Sequence, residues 1–126
     1  MVGIVIVSHS KNLADSIVEY TRLMAGEAHV AAAGGNDDGS FGTSFQKIYE
    51  AIESVDSEDG VLLLMDMGSA VMTTEMVLEA YSCDRIEMVD CPIVEGAIVA
   101  TINAQAGLSR EDIKKELQEV AAAPKF

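Results

Sequence analysis

A histidine between two serines, Ser8-His9-Ser10, is the first candidate for chemistry, because it directly follows the short apolar run Val2–Val7. A neutral imidazole nitrogen with a free lone pair can attack phosphorus and carry a phosphoryl group. The same position also suits a histidine that only hydrogen-bonds backbone at a strand end, so the residues alone leave both roles open. The other histidine, His29, stands at the start of a predicted strand and is expected to be a surface or packing residue.

The turn Asp66-Met67-Gly68-Ser69 follows a second apolar run, Gly60–Met65. A carboxylate bonded to one ring nitrogen of His9 would fix its tautomer and support the positive charge that develops on reaction. Asp66 could instead cap the next helix, and the two roles are compatible. The backbone N–H groups of Gly68 and Ser69 at a helix N-terminus would suit phosphate oxygens.

The third polar cluster is the loop Gly34–Gly42, which is dense in turn residues. After it, Thr43 and Ser44 can each cap a helix or donate to a phosphate, and capping is the preferred interpretation for Ser44. Asp37 and Asp38 are more typical of a turn than of a metal site, because no ligand spacing completes a metal set. We therefore expect no metal.

The elements that must position these clusters alternate between strand and helix. Uninterrupted apolar runs predict buried parallel strands, and apolar residues at helical spacing predict the helices between them. The predicted strands cover residues 2–7, 29–33, 60–65 and 85–89, and the predicted helices cover 13–24, 43–54, 68–81, 94–106 and 109–120. This order predicts an α/β fold with an open, mainly parallel sheet of about four strands and helices on both faces, in a single domain spanning 1–126. The three clusters should then meet at the carboxyl edge of the sheet, where such folds bind ligands.

Composition excludes several classes of partner. The 8 basic and 21 acidic residues give a formal charge of −13, which would repel nucleic acid and anionic membranes. The first apolar run is too short to cross a bilayer, and the spacing of Cys83 and Cys91 matches no metal or redox motif, so we expect a cytoplasmic protein. No glycine-rich phosphate-binding motif is present, so we expect no nucleotide site on this chain.

Three segments carry a resemblance to a known family: Val5-Ile6-Val7-Ser8-His9-Ser10, residues 63–70 (LLMDMGSA) and residues 92–96 (PIVEG). In this order and spacing they resemble the phosphotransfer subunit of dihydroxyacetone kinase, a relative of the mannose-class IIA proteins of the bacterial phosphotransferase system. The similarity covers essentially the whole chain, including Ala32-Ala33-Gly34 and Gly42-Thr43 in the second loop.

The resemblance implies a phosphocarrier that takes a phosphoryl group from HPr, which enzyme I charges from phosphoenolpyruvate. The carrier would pass the group to ADP on the nucleotide-binding subunit of the kinase, so ADP and ATP belong to that partner and no cofactor to this chain. In the family the histidine reacts through Nε2 while an aspartate after the third strand holds Nδ1, and these roles map onto His9 and Asp66. The residues implied to line the phosphate pocket are Ser10, Thr43, Met67, Gly68 and Ser69.

The resemblance also implies a homodimer, for which Met72, Val77 and Leu78 are apolar enough, although they could equally be core. Some relatives carry fused HPr-like and enzyme I-like domains that this sequence lacks, so we expect it to use those of the general system. The alternatives are a sugar-specific IIA component and a purely structural dimer module that would not need His9. A response-regulator-like module is disfavoured, since its first strand should end in paired acids.

Overall fold

A computed structural model describes residues 1–126 as four strands and five helices in alternation. In chain order these are β1 (Gly3–Ser8), α1 (Lys11–Thr21), β2 (Val30–Gly34), α2 (Phe45–Val55), β3 (Val61–Met65), α3 (Ser69–Tyr81), β4 (Ile86–Met88), α4 (Ile93–Gln105) and α5 (Arg110–Ala122). None of these helices has both the length and the apolar character that crossing a bilayer requires. The predicted α/β class and element order are confirmed.

The strands form one sheet in the order β2-β1-β3-β4, with every neighbouring pair parallel. The first strand is therefore central, with Ser8 opposite Gly34 of β2 and Val7 opposite Met65 of β3. Because all strands run in one direction, the polar segments that follow β1, β2 and β3 emerge at the same edge. The convergence expected from the sequence follows from this strand order.

Helices cover both faces of the sheet. Ile4 and Ile6 of β1 pack in a core that includes residues of α1, α4 and α5, and Val5 and Val7 pack in a second core with residues of α2 and α3. Successive side chains of a strand point to opposite faces, so this strand feeds both cores. Because helices cover both faces, the strands are apolar without alternation. Burying each aliphatic side chain fully stabilises the folded state by about 1.5–3 kcal/mol relative to leaving it exposed.

The largest boundary difference is at the end of α1. The predicted end at Met24 is wrong, because the helix ends at Thr21 and the chain then turns, with the Leu23 N–H bonded to the Tyr20 carbonyl. Leu23 and Met24 continue the helical spacing in sequence but are exposed. The predicted helix is too long because the apolar periodicity of the sequence continues into the turn that leads the chain back toward β2.

Gly3 marks a close approach between β1 and the end of α2, and it gives a test of the packing. A Cβ added there would overlap the Val55 backbone oxygen and lie 2.8 Å from the Val55 Cβ. We expect Gly3→Ala to destabilise the protein by about 1–3 kcal/mol, because backbone must shift to relieve the overlap. Urea unfolding should show a lower midpoint with an unchanged slope.

The matched control is Gly26→Ala, whose added Cβ would meet only the Arg22 carbonyl oxygen at 3.6 Å, an ordinary contact. Gly26 does not adopt a left-handed φ, so the substitution adds no backbone strain. Equal midpoints for the two variants would show that the approach at Gly3 is not tight.

Candidate functional site

His9 lies in the turn between β1 and α1, at the carboxyl edge of the sheet. Its strand has β2 on one side and β3 on the other, so the winding of the chain changes direction at this point. Open α/β sheets form their ligand-binding crevice at such a position. The His9 side chain is 30% exposed, which leaves the ring accessible to a partner while its surroundings hold it in place.

Asp66 directly follows β3, and its carboxylate accepts four hydrogen bonds. Oδ1 lies 3.0 Å from His9 Nδ1 and 2.7 Å from the Met67 N–H nitrogen. Oδ2 accepts the His9 backbone N–H at 3.0 Å and the Ser8 hydroxyl at 2.9 Å. The neighbouring strand ends thus bring together two residues that are 57 positions apart in sequence.

These contacts determine the charge of Asp66. Burial raises the pKa of the carboxyl, but the hydrogen bonds from the His9 and Met67 N–H groups, the Ser8 hydroxyl and the His9 ring outweigh burial and hold the pKa below its ordinary value of 3.8. Asp66 is therefore ionised at neutral pH and can only accept hydrogen bonds. In a neutral ring the proton must then lie on His9 Nδ1, and Nε2 keeps a free lone pair.

The second ring nitrogen faces the start of α3. His9 Nε2 lies 2.7 Å from the Ser69 hydroxyl oxygen, and the hydroxyl is the donor because Nε2 has no proton in this tautomer. Ser69 is the first residue of α3, and the preceding Gly68 has a φ of 57° and gives the helix no side-chain cap. Only glycine adopts that backbone conformation without strain. The nitrogen lone pair thus points to a helix N-terminus, which favours anions.

The other implied pocket residues make no hydrogen bond to the His9 ring. The Ser10 hydroxyl caps α1 by accepting the Leu13 N–H at 3.2 Å. The Thr43 hydroxyl pairs with that of Thr73 at 2.8 Å and so ties the second loop to α3. Met67 has an exposed side chain, and its N–H is already bonded to Asp66. Among the residues implied by the resemblance, Asp66 and Ser69 are the two that hydrogen-bond the His9 ring.

The structure distinguishes the capping roles that the sequence left open for Ser44 and Asp66. Ser44 caps α2, as preferred, whereas the interpretation of Asp66 as the cap of α3 is wrong, because that N-cap is Gly68. Asp38 accepts hydrogen bonds from the N–H and hydroxyl of Ser40, which shapes the loop. No group of three or more His, Cys, Asp or Glu side chains that could hold a metal ion is present. His29 is exposed.

Sequence reasoning gave no role to Ser8, although its hydroxyl is one of the four donors to Asp66. The residue is fully buried at the end of β1. The available signal was a single polar residue closing an otherwise apolar strand, because a buried hydroxyl needs a partner. Which partner it takes depends on the strand order.

The chain matches a known protein family over most of its length. Residues 3–114 match the EIIA-man family model, described as the PTS system fructose IIA component. The chain therefore belongs to the EIIA-man family.

Within that class the chain is similar to phosphoryl donor subunits of dihydroxyacetone kinase, which confirms the resemblance seen in the sequence. The subunit DhaM of the PEP-dependent dihydroxyacetone kinase 2 of Listeria innocua is 32% identical, and the match covers 95% of this chain and 99% of that protein. The phosphotransferase subunit DhaM of the PTS-dependent dihydroxyacetone kinase of Lactococcus lactis is 36% identical, with 94% of each chain covered.

Other relatives are much longer than this chain. The DhaM subunit of Providencia stuartii is 38% identical over 98% of this chain, yet the chain spans only 27% of that protein. Among solved structures, a protein of unknown function is similar at a TM-score of 0.80 and 30% identity, with 100% of this chain and 98% of the other covered. The EIIA phosphotransferase component of Streptococcus agalactiae shares the fold at a TM-score of 0.72 and 19% identity, over 97% of this chain and 93% of its own.

The lowered pKa of Asp66 predicts how stability depends on pH. Folding favours the ionised form, so its contribution is complete above the ordinary value of 3.8 and is lost as the pH falls through the lower folded value. At neutral pH we expect the free energy of unfolding of the wild type to exceed that of Asp66→Asn by about 1.5–3 kcal/mol, which is the scale of hydrogen bonds to a charged group. Urea unfolding at several pH values should show this advantage shrinking below about pH 4.

Asp84→Asn is a suitable control, because Asp84 is exposed and its carboxylate makes no hydrogen bond. An advantage of the wild type over Asp66→Asn that stayed constant down to low pH would contradict the assignment of an ionised, hydrogen-bonded Asp66.

Proposed function

We propose that this chain is a phosphocarrier for phosphoenolpyruvate-dependent phosphorylation of dihydroxyacetone, with the phosphoryl group borne by His9 Nε2. The observation that supports it best is the line from Asp66 through the His9 ring to Ser69, with atom separations of 3.0 Å and 2.7 Å. This line leaves one nitrogen as a nucleophile beside a helix N-terminus. The similar proteins that are named as phosphoryl donor subunits of dihydroxyacetone kinase support the same role.

In the charging step, the proposed donor is phospho-HPr. The lone pair of His9 Nε2 attacks phosphorus, the P–N bond of the donor breaks, and the donor histidine leaves with the bonding pair. The proton on Nδ1 stays hydrogen-bonded to Asp66, whose negative charge offsets the positive charge developing on the ring. The Ser69 hydroxyl turns from Nε2 to the incoming phosphoryl oxygens, beside the first N–H groups of α3.

In the discharging step, the proposed acceptor is ADP bound on the nucleotide-binding subunit of the kinase. A β-phosphate oxygen of ADP attacks phosphorus, the P–Nε2 bond breaks, and His9 recovers its lone pair. The products are ATP on the partner and a neutral His9. In both the charging and the discharging step, catalysis comes from the positioning of the ring and the stabilisation of its charge by Asp66. The partner would hold the nucleotide and its metal.

We further propose a cytoplasmic homodimer. Cys83 and Cys91 are both free thiols, as expected in a reducing compartment. Of the three residues considered for a dimer contact, Val77 is fully buried and Leu78 packs against the core, whereas Met72 is 69% exposed. A subunit contact on α3 would therefore use Met72 and its exposed neighbour Met76 rather than Val77 or Leu78.

The choice of acceptor tests the proposal against its nearest alternative, a sugar-specific IIA component. The chain is charged with phosphoenolpyruvate, enzyme I and HPr, purified, and mixed with the ADP-loaded kinase subunit or with the sugar-specific components of a mannose-class system. We expect the kinase subunit to remove the phosphate and form ATP, and the sugar components to leave it in place. Transfer of the phosphate to the sugar components and not to the kinase subunit would contradict the kinase role and assign the chain to a sugar-specific system.

A further inference from the structure

Ser8 is a fully buried serine at the end of the central strand. Its position is fixed by the sheet, since it pairs opposite Gly34 and its carbonyl accepts the Gly35 N–H at 3.1 Å. Burying a hydroxyl is unfavourable unless it is hydrogen-bonded, so the partners of this side chain show what it does.

The Ser8 hydroxyl joins two elements of the site. Its oxygen accepts the Ser10 N–H at 3.0 Å, and its proton points to Asp66 Oδ2 at 2.9 Å, because an ionised carboxylate cannot donate. Ser10 in turn caps α1. A single hydroxyl thus connects the start of α1 to the carboxylate at the end of β3.

The four donors to Asp66 differ in how firmly they are held. The N–H groups of His9 and Met67 belong to the turns that follow β1 and β3, and the His9 ring is itself the group to be oriented. The Ser8 hydroxyl is the only donor from a side chain anchored within the sheet. Without it, Oδ2 would keep only the His9 N–H, and the carboxylate would be held less firmly against rotation away from His9 Nδ1.

We propose that Ser8 is a positioning residue for phosphoryl transfer, whose hydroxyl fixes the Asp66 carboxylate and thereby keeps the proton of neutral His9 on Nδ1. The inference rests on the proposed function, because the tautomer affects activity only if Nε2 is the nucleophile. The competing role is structural, a satisfied hydroxyl that merely joins β1 to α1. The two roles differ in what happens to the His9 ring when the hydroxyl is removed.

The test is the tautomer of His9 in the full chain, measured by ¹⁵N NMR of the imidazole nitrogens at a pH where the ring is neutral. We expect the wild type to hold its proton on Nδ1 and Ser8→Ala to show a mixture with the Nε2–H form. In Ser8→Ala the rate of phosphoryl acceptance at saturating phospho-HPr should fall about tenfold or more, while KM stays unchanged. This decrease is on the scale expected for losing a hydrogen bond to a charged group.

Thr101→Val is the matched control, because Thr101 is also fully buried and its hydroxyl donates to the Ala97 carbonyl within α4, with no bond to the site residues. It should lower thermal stability without changing the His9 tautomer or the transfer rate. Ser8→Cys replaces the hydroxyl by a somewhat larger thiol, which is a weaker donor, and should give an intermediate tautomer ratio. It provides a second measurement if Ser8→Ala does not fold.

A folded Ser8→Ala or Ser8→Cys protein with the wild-type tautomer and rate would overturn the proposal and leave Ser8 a structural role. The NMR measurement needs no phosphoryl donor, so it separates this inference from the proposed function. If Ser8→Ala changed the tautomer but the wild-type chain could not be charged, the result would contradict the phosphocarrier function and still support the action of Ser8 on His9.

Discussion

Replacing His9 by alanine will abolish phosphoryl acceptance by this chain. The substitution removes Nε2, the proposed nucleophile that the bond between Nδ1 and Asp66 orients, and loss of a covalent nucleophile lowers the rate by about 10³-fold or more. The ring is partly exposed, so alanine should leave the fold intact. Incorporation of labelled phosphate from phosphoenolpyruvate through enzyme I and HPr measures the effect directly.

His29→Ala is the matched control, since His29 is the other histidine of the chain and is exposed at the start of β2, away from the carboxyl edge of the sheet. It should be charged at the wild-type rate. Normal charging of His9→Ala, or loss of charging in His29→Ala, would move the phosphorylation site away from His9.

Replacing Asp66 by asparagine will slow the transfer without abolishing it. All four groups that contact the carboxylate are donors, so the NH₂ group of an amide would face at least one of them and turn the side chain out of place. A neutral amide also fails to offset the charge that develops on the ring. We expect a decrease of about 10²–10⁴-fold, the range for a group that assists proton placement in the transition state.

Rapid-quench measurement with phospho-HPr should place this loss in the rate constant of transfer rather than in KM, because Asp66 acts on the reacting ring. Asp90→Asn is the control, since it removes one negative charge from an exposed carboxyl that lines the same cavity of about 370 Å³ beside Asp66. If both variants lost activity equally and only through KM, the effect would be one of net charge on the encounter with the partner.

Much of the fold could be predicted because the strands are apolar on both faces. Runs such as Gly60–Met65 have no polar alternation, which is typical of a sheet covered by helices on each side. The rule that parallel strands end at one edge then brought His9 and Asp66 together in the prediction. The bond between His9 Nδ1 and Asp66 needed the strand order β2-β1-β3-β4, which periodicity does not contain.

The parts of the site that could not be predicted depend on how elements dock. Thr43 looked like a phosphate ligand or a helix cap, but its hydroxyl pairs with Thr73 because α3 packs beside the second loop. Ser8 showed only as a polar end to a strand, since sequence does not give the direction of a hydroxyl. In both cases the partner lies on a distant segment, and the short-range pattern carries no information about it.

Phosphorylation of the pure wild-type chain is the most direct measurement of its role as a carrier. The chain is incubated with phosphoenolpyruvate, enzyme I and HPr, its intact mass is followed, and the modified residue is located in its peptides. We expect one acid-labile phosphate on His9. An unchanged mass with a donor mixture that charges a known acceptor, or a phosphate stable to acid on Ser8, Ser10 or Ser69, would contradict the phosphocarrier function.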